Sequence, residues 1–232
     1  MTAVVLLHPL ALAGAVWAPV AAELSGDFPV VTPDLHGPRG NPWSTLDEAA
    51  DQVAAQLPQP VHLVGMSMGG AVAMILAARH PDRVRSLTLA DTTAWYGPDA
   101  PAVWAKRAEQ AARYPREPQL DFQQKRWFTE EFRAARPDEV DRVCRIFLRT
   151  SGAAHAGAAR AMGELDARPL LAAIAVPTLV LVGAEDYATP PVMAERLAAG
   201  IPGADLHILP GLRHLSLIER PQLASAIRAF VP

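Results

Sequence analysis

The stretch Gly65-Met66-Ser67-Met68-Gly69-Gly70 sets a serine between two glycines, after an apolar run, Val61-His62-Leu63-Val64, and before an alanine-rich segment, Ala71 to His80. A strand that turns sharply into a helix at such a serine lifts the hydroxyl clear of the backbone and aims the first helical N–H groups at the same space. The turn tolerates almost no side chain two residues to either side, and Gly65 and Gly69 meet that demand. The arrangement predicts a serine nucleophile; the plainer alternative is a tight turn. A serine hydroxyl is a weak nucleophile, so it needs a base, and the base needs an orienting carboxylate. In chains with such a turn the order is serine, acid, histidine. Asp186 follows the apolar run Thr178-Leu179-Val180-Leu181-Val182, within Gly183-Ala184-Glu185-Asp186-Tyr187-Ala188-Thr189-Pro190. Glu185 is its neighbouring competitor. Asp91, at the end of an earlier run, is a second source of an acid and reads as a turn or hinge residue. His214, in Leu212-Arg213-His214-Leu215, lies between the last apolar run and the final helical segment, where a loop can carry an imidazole over Ser67.

The other six histidines fit a base less well. His62 and His207 fall inside strands, His80 ends a helix, and His155 lies in a helical region where it could touch substrate. His8 and His36 border the site but precede the nucleophile. A tetrahedral oxyanion needs two backbone donors. Met68 N–H is the natural first. The second should come from His8-Pro9-Leu10, after the first apolar run; proline has no N–H, so Leu10 is expected. No H-E-x-x-H, C-x-x-C or dinucleotide fingerprint occurs, and a cofactor-free, metal-free mechanism is expected.

Six short apolar runs are expected to be strands: Ala3 to Leu7, Pro29 to Thr32, Val61 to Gly65, Val84 to Ala90, Pro177 to Gly183 and Ala204 to Leu209. Such near-continuous runs suit parallel strands covered on both faces. Helices are expected at Thr45 to Leu57, opened by the capping box Thr45-x-x-Glu48, at Ala71 to His80, Pro191 to Ala199 and Pro221 to Phe230. The alternation predicts a doubly wound α/β sheet. Residues 93–168 break the rhythm, with helical patterns over Ala100–Arg113, Gln119–Glu131, Pro137–Thr150 and Ala153–Glu164. They read as a cap inserted into a core formed by 1–92 and 169–232. The cap holds thirteen basic against eleven acidic residues, about +2 against −5 for the rest. That leans toward an anionic substrate, with solvated helix faces as the plain alternative.

With 232 residues, half of them hydrophobic, the chain fits one domain with an insertion. The net charge of −3 gives no reason to expect nucleic acid or a membrane surface as partner. A lone Cys144 forms no intrachain disulfide, so a reducing cytoplasm is expected. The apolar N-terminus has no basic leader and is broken by Pro9, Gly14 and Pro19, so neither a secretory signal nor a membrane span is expected.

These residues resemble the α/β-hydrolase superfamily from Val4 to Phe230. The second half is most similar to the 3-oxoadipate enol-lactonases, on Leu89-Ala90-Asp91-Thr92-Thr93-Ala94, Arg126-Trp127-Phe128-Thr129, Gly183 through Pro191, and His214-Leu215-Ser216-Leu217-Ile218-Glu219-Arg220-Pro221. The resemblance implies an α/β-hydrolase fold with a mostly parallel sheet and a helical cap. It implies a Ser67–His214–Asp186 triad and a small lactone or ester substrate bearing carboxylates, held by Arg126 with Trp127. A surface salt bridge is the other reading of Arg126. A broad carboxylesterase, a C–C bond hydrolase or a non-catalytic ligand-binding relative are the alternatives. Two departures stand out. The loop reads His-Pro-Leu rather than His-Gly, and the first strand begins almost at Met1. A sheet of about six strands is therefore expected, with a bare edge that a second subunit could cover, in a monomer or homodimer.

Overall fold

The computed structural model describes residues 1–37, 41, 43–57 and 59–231. Strands β1 (Val4–Leu7), β2 (Val30–Val31), β3 (Val61–Met66), β4 (Val84–Ala90), β5 (Thr178–Gly183) and β6 (Asp205–Leu209) form one sheet in the order β2-β1-β3-β4-β5-β6. Every neighbouring pair is parallel. The order reverses between β1 and β3. At that switch point the loops leaving the two strands diverge to opposite faces and open a crevice at their carboxyl ends.

Alternate residues of β1 serve different cores. Val5 and Leu7 belong to one buried cluster with residues of α2 (Leu46–Gln56), α3 (Met68–Arg79) and α9 (Pro191–Gly200). Val4 and Leu6 pack with α1 (Ala18–Leu24), α10 (Ser216–Glu219) and α11 (Ala224–Phe230). This two-sided burial is why β1, β3 and β5 are near-continuous apolar runs, whereas the edge strand β6 carries Asp205 and His207 on an exposed side. Thr45 caps α2 by accepting from Glu48 N–H at 3.1 Å. Glu48 reaches back to Ser44 N–H at 2.6 Å, one residue before the partner a capping box expects.

Five helices separate β4 from β5: α4 (Ala100–Arg113), α5 (Leu120–Trp127), α6 (Glu130–Ala135), α7 (Pro137–Arg149) and α8 (Gly152–Gly163). The ends of this excursion meet, with Trp95 bridged to Asp166 and Ala167 N–H donating to Ala94 O at 2.9 Å. Among the described residues no helix is long and apolar enough to cross a membrane.

Several elements differ from the sequence expectations, α10 among them, which lies where no helix was expected. Helix α3 begins at Met68 rather than Ala71, because the chain turns within Ser67 alone. Helix α1 lies where no helix was expected; Pro19 sits in its first turn, where a missing N–H costs nothing. The helix expected over Gln119–Glu131 is broken at Phe128, which is fully buried, and Thr129 caps a new helix by accepting from Phe132 N–H.

The crevice depends on backbone contact. A Cβ on Gly65 would lie 2.2 Å from Gly69 O, and one on Gly69 would lie 2.1 Å from Leu7 O. Neither neighbour is a side chain that can swing away. Gly69→Ala should therefore cost roughly 2 kcal/mol or more, read as a lower urea midpoint. A wild-type midpoint would show that α3 and β1 do not press together as described.

Candidate active site

Ser67 stands at the switch point with φ 55° and ψ −117°, a backbone conformation that L-residues rarely hold. It is held there from three sides. Its N–H donates to Ala90 O at 2.9 Å, while its carbonyl accepts from Ala71 N–H at 3.1 Å and from Thr92 Oγ1 at 2.7 Å. Ser67 Oγ lies 3.0 Å from His214 Nε2, and His214 Nδ1 lies 2.8 Å from Asp186 Oδ2. An ionised carboxylate only accepts, so Nδ1 carries the ring proton and Nε2 is free to take the serine proton. All three residues are buried, Ser67 at 5% exposure.

Asp186 is strongly held. Oδ1 accepts from Ala188 N–H at 2.7 Å and Thr189 N–H at 3.0 Å, and Oδ2 accepts from Thr189 Oγ1 at 2.8 Å. Burial alone would raise its pKa, but the His214 ring and the Thr189 hydrogen bonds outweigh burial and hold it below the usual carboxylate range. Glu185, the competitor, points outward to an ion pair with Arg213 at 3.7 Å. Sequence reasoning passed over Thr189, although a hydroxyl three residues after an acid is a recognisable local cap.

Asp91 is more than a turn residue. It is fully buried with φ 48°. Oδ1 accepts from Gly183 N–H at 3.0 Å, and Oδ2 accepts from Ser216 N–H at 3.0 Å and Ser216 Oγ at 2.7 Å. It thereby ties the end of β4 to the end of β5 and to the start of α10, two residues past His214. Burial, reinforced by Asp186, pushes its pKa well above the usual range. The two acids are thus driven apart, and the low one faces the imidazole.

A second set of ties binds the His214 loop to the inserted helices. Leu215 N–H donates to Trp127 O at 3.1 Å, Arg213 donates to Lys125 O, and Glu219 accepts from Thr129 N–H and Oγ1. The break at Phe128 is where these bonds are made.

Ser67 and His214 open on a cavity of about 530 Å³. Leu10, Trp104, Phe122, Trp127 and Phe147 supply much of its apolar wall, and among the described residues the charged groups lining it are Arg107 and Arg126. Arg126 is half-buried on α5 and makes no ion pair with a described residue, unlike the surface pair weighed from sequence. Trp127 is buried edge-on against Phe147, with ring centroids 5.5 Å apart. Leu10 lies on the loop facing Ser67, and Met68 N–H belongs to the first turn of α3, where no intrahelical acceptor exists. The close approach of Gly69 to Leu7 and His8 brings that loop against the helix start. His8 holds the loop from behind, its Nδ1–H donating to Pro9 O and its Nε2 accepting from Leu35 N–H, both at 2.8 Å. Burial, with His36 beside it, lowers its pKa to about 3. Among the described residues no three His, Cys, Asp or Glu gather where they could share a metal ion.

A family model described as the alpha/beta hydrolase fold matches residues 2–221. The pimeloyl-[acyl-carrier protein] methyl ester esterase of Chromobacterium violaceum is 33% identical over 229 residues, covering 94% of this chain and 89% of its own length. The solved enol-lactonase from Burkholderia xenovorans is 30% identical with a TM-score of 0.90, covering 99% of this chain and 91% of that one. A thermophilic esterase from Thermogutta terrifontis, solved with malate bound, is 30% identical with a TM-score of 0.89, covering 99% and 89%.

Asp91 receives N–H donors on both oxygens, so an amide there faces a donor with its NH2 in either orientation. Asp91→Asn should lose about 2–3 kcal/mol of unfolding free energy. It should also slow ester hydrolysis, because the His214 loop loses its tie. An unchanged urea midpoint and rate would remove Asp91 from the support of the site.

Proposed function

The chain belongs to the α/β-hydrolase fold family, whose relatives here act on ester bonds, and from that premise we propose that it hydrolyses a small carboxylate-bearing lactone or ester through an acyl-enzyme on Ser67. One observation carries this reading: the Ser67–His214–Asp186 relay opens on a largely apolar cavity whose charged lining, among the described residues, is two guanidiniums.

Ser67 Oγ attacks the carbonyl while His214 Nε2 takes its proton. The oxyanion forms between Met68 N–H and Leu10 N–H. Such fixed donors gain strength in a dry pocket and need no reorganisation as charge develops. The tetrahedral adduct collapses and expels the leaving oxygen, which recovers the proton from His214. In an enol-lactone the ring opens and the enol tautomerises to a ketone. An enolate leaves more readily than a simple alkoxide, so such a substrate asks little acid assistance of His214. Water then attacks the acyl-enzyme with His214 as base, releasing the acid and restoring Ser67. Asp186, held in its ionised form, keeps the imidazole in the required tautomer throughout.

Arg126 and Trp127 are assigned to the substrate: the guanidinium pairs with a carboxylate, and the indole covers the acyl chain. The dicarboxylate in the Thermogutta terrifontis esterase and the name of the Burkholderia xenovorans enzyme favour that class. A second reading, a methyl ester at the end of an acyl chain, is favoured by the Chromobacterium violaceum relative and by the aromatic side chains lining the cavity. Parallel assays on an enol-lactone and on methyl esters separate the two.

Arg126→Ala should lower kcat/KM for a carboxylate-bearing ester roughly 10–100-fold more than for a neutral ester of equal length, the size of one charge-assisted hydrogen bond. Equal losses on both esters, or none, would contradict the assignment of Arg126 to a substrate carboxylate.

A further inference from the structure

The cavity has a second polar feature that the hydrolytic relay does not use. Arg116, just before α5, is 9% exposed. Its Nε donates to Phe147 O at 2.9 Å and its Nη2 reaches Ala11 O at 3.5 Å, while its guanidinium lies 3.7 Å from the centre of the Phe147 ring. Nη1 lies 3.1 Å from His155 Nδ1. These hydrogen-bond partners are all neutral, and burial lowers the Arg116 pKa to about 10 without discharging it at neutral pH.

A guanidinium carries donors alone, so His155 Nδ1 must accept, and the single proton of a neutral ring then sits on Nε2. Burial, together with the charges of Arg116, His36, Arg126 and Arg107, lowers the His155 pKa to about 3, so the ring is neutral at pH 7. His155 is buried in α8, with its ring edge-on to Phe147, and it lines the same cavity as Ser67 and His214. Nε2 makes no hydrogen bond to a described residue, and the ring that carries it lines the cavity.

We propose that His155 Nε2–H, held in that tautomer by Arg116, is a specificity-determining donor that receives an oxygen on the acyl part of the substrate, away from the scissile carbonyl. This rests on the reading of Ser67 as the nucleophile. It is separate from Arg126, because it selects an oxygen acceptor whether or not that oxygen bears charge. The chemical class is therefore an oxo-acyl ester or lactone rather than a plain alkanoyl one. A cavity built around a fixed donor discriminates against the analogue lacking the acceptor, since the donor is then buried without a partner.

The test uses neutral substrates, which take Arg126 pairing out of the comparison. The p-nitrophenyl esters of hexanoic acid and of its 3-, 4- and 5-oxo derivatives are assayed with the wild-type protein, His155→Leu, His155→Gln and Arg116→Met, each checked for folding by its melting curve. The readout is the ratio of kcat/KM for each oxo ester to that for the hexanoate. The wild-type ratio should exceed roughly tenfold for at least one oxo position. His155→Leu should bring that ratio to about one, and His155→Gln, which restores an N–H, should recover part of it. Arg116→Met should lower it severalfold by freeing the tautomer. A wild-type ratio near one at every position, or a ratio that survives His155→Leu, overturns the proposal. Absence of turnover on every ester, hexanoate included, overturns the nucleophile reading and this proposal with it.

Discussion

The Ser67 side of this site depends on one backbone contact: the strained turn at Ser67, pressed against the loop after β1. With φ at 55°, Ser67 points its hydroxyl away from the sheet. It can do so because Gly65 and Gly69 let three backbone segments approach to distances at which a Cβ would collide. The same approach puts the first turn of α3 beside Leu10. The position of the proposed nucleophile, the two N–H groups assigned to the oxyanion and the floor of the cavity are thus consequences of one packing event at the sheet's switch point. Strain of this kind persists only where surrounding hydrogen bonds over-determine it, and Thr92, Ala71 and Ala90 supply them here.

The proposed base is placed by a different principle. His214 lies on a loop, and loops are mobile unless tied. Here the ties come from two directions. Asp91 holds Ser216 and Gly183 from the sheet side, while Trp127, Lys125 and Thr129 hold Leu215, Arg213 and Glu219 from the inserted helices. The position of the inserted helices and the position of the imidazole are therefore coupled through a few polar contacts. A displacement of α5 would move both the wall that carries Arg126 and the loop that carries the base.

How much of this was legible in the sequence follows from how local each signal is. Strands β1, β3 and β5 showed as apolar runs because both of their faces are covered. The Ser67 turn showed because its demand for missing side chains is met within five residues. Asp186 and His214 were legible from their places after strands, and Asp186 Oδ1 is capped by residues two and three positions on. Apart from the local Thr189 cap and helix α1, the parts that escaped are made by distant pairs. Asp91 meets Ser216 across 125 positions and Arg116 meets His155 across 39, and neither separation leaves a periodic trace. The break at Phe128 was hidden for the same reason: helical periodicity continues through it, and Thr129, just past the break, bonds to Glu219, 90 residues further on. Helix α1 was obscured by Pro19, which reads as a breaker until it is placed in a first turn.

The central claim is that Ser67 is the activated nucleophile of this cavity, and active-site labelling tests it most directly. Folded protein treated with a fluorophosphonate, digested and analysed by mass spectrometry should carry one adduct, on the peptide containing Ser67, and His214→Ala should abolish it. Folded protein that takes up no label, or takes it at another residue, would contradict the account.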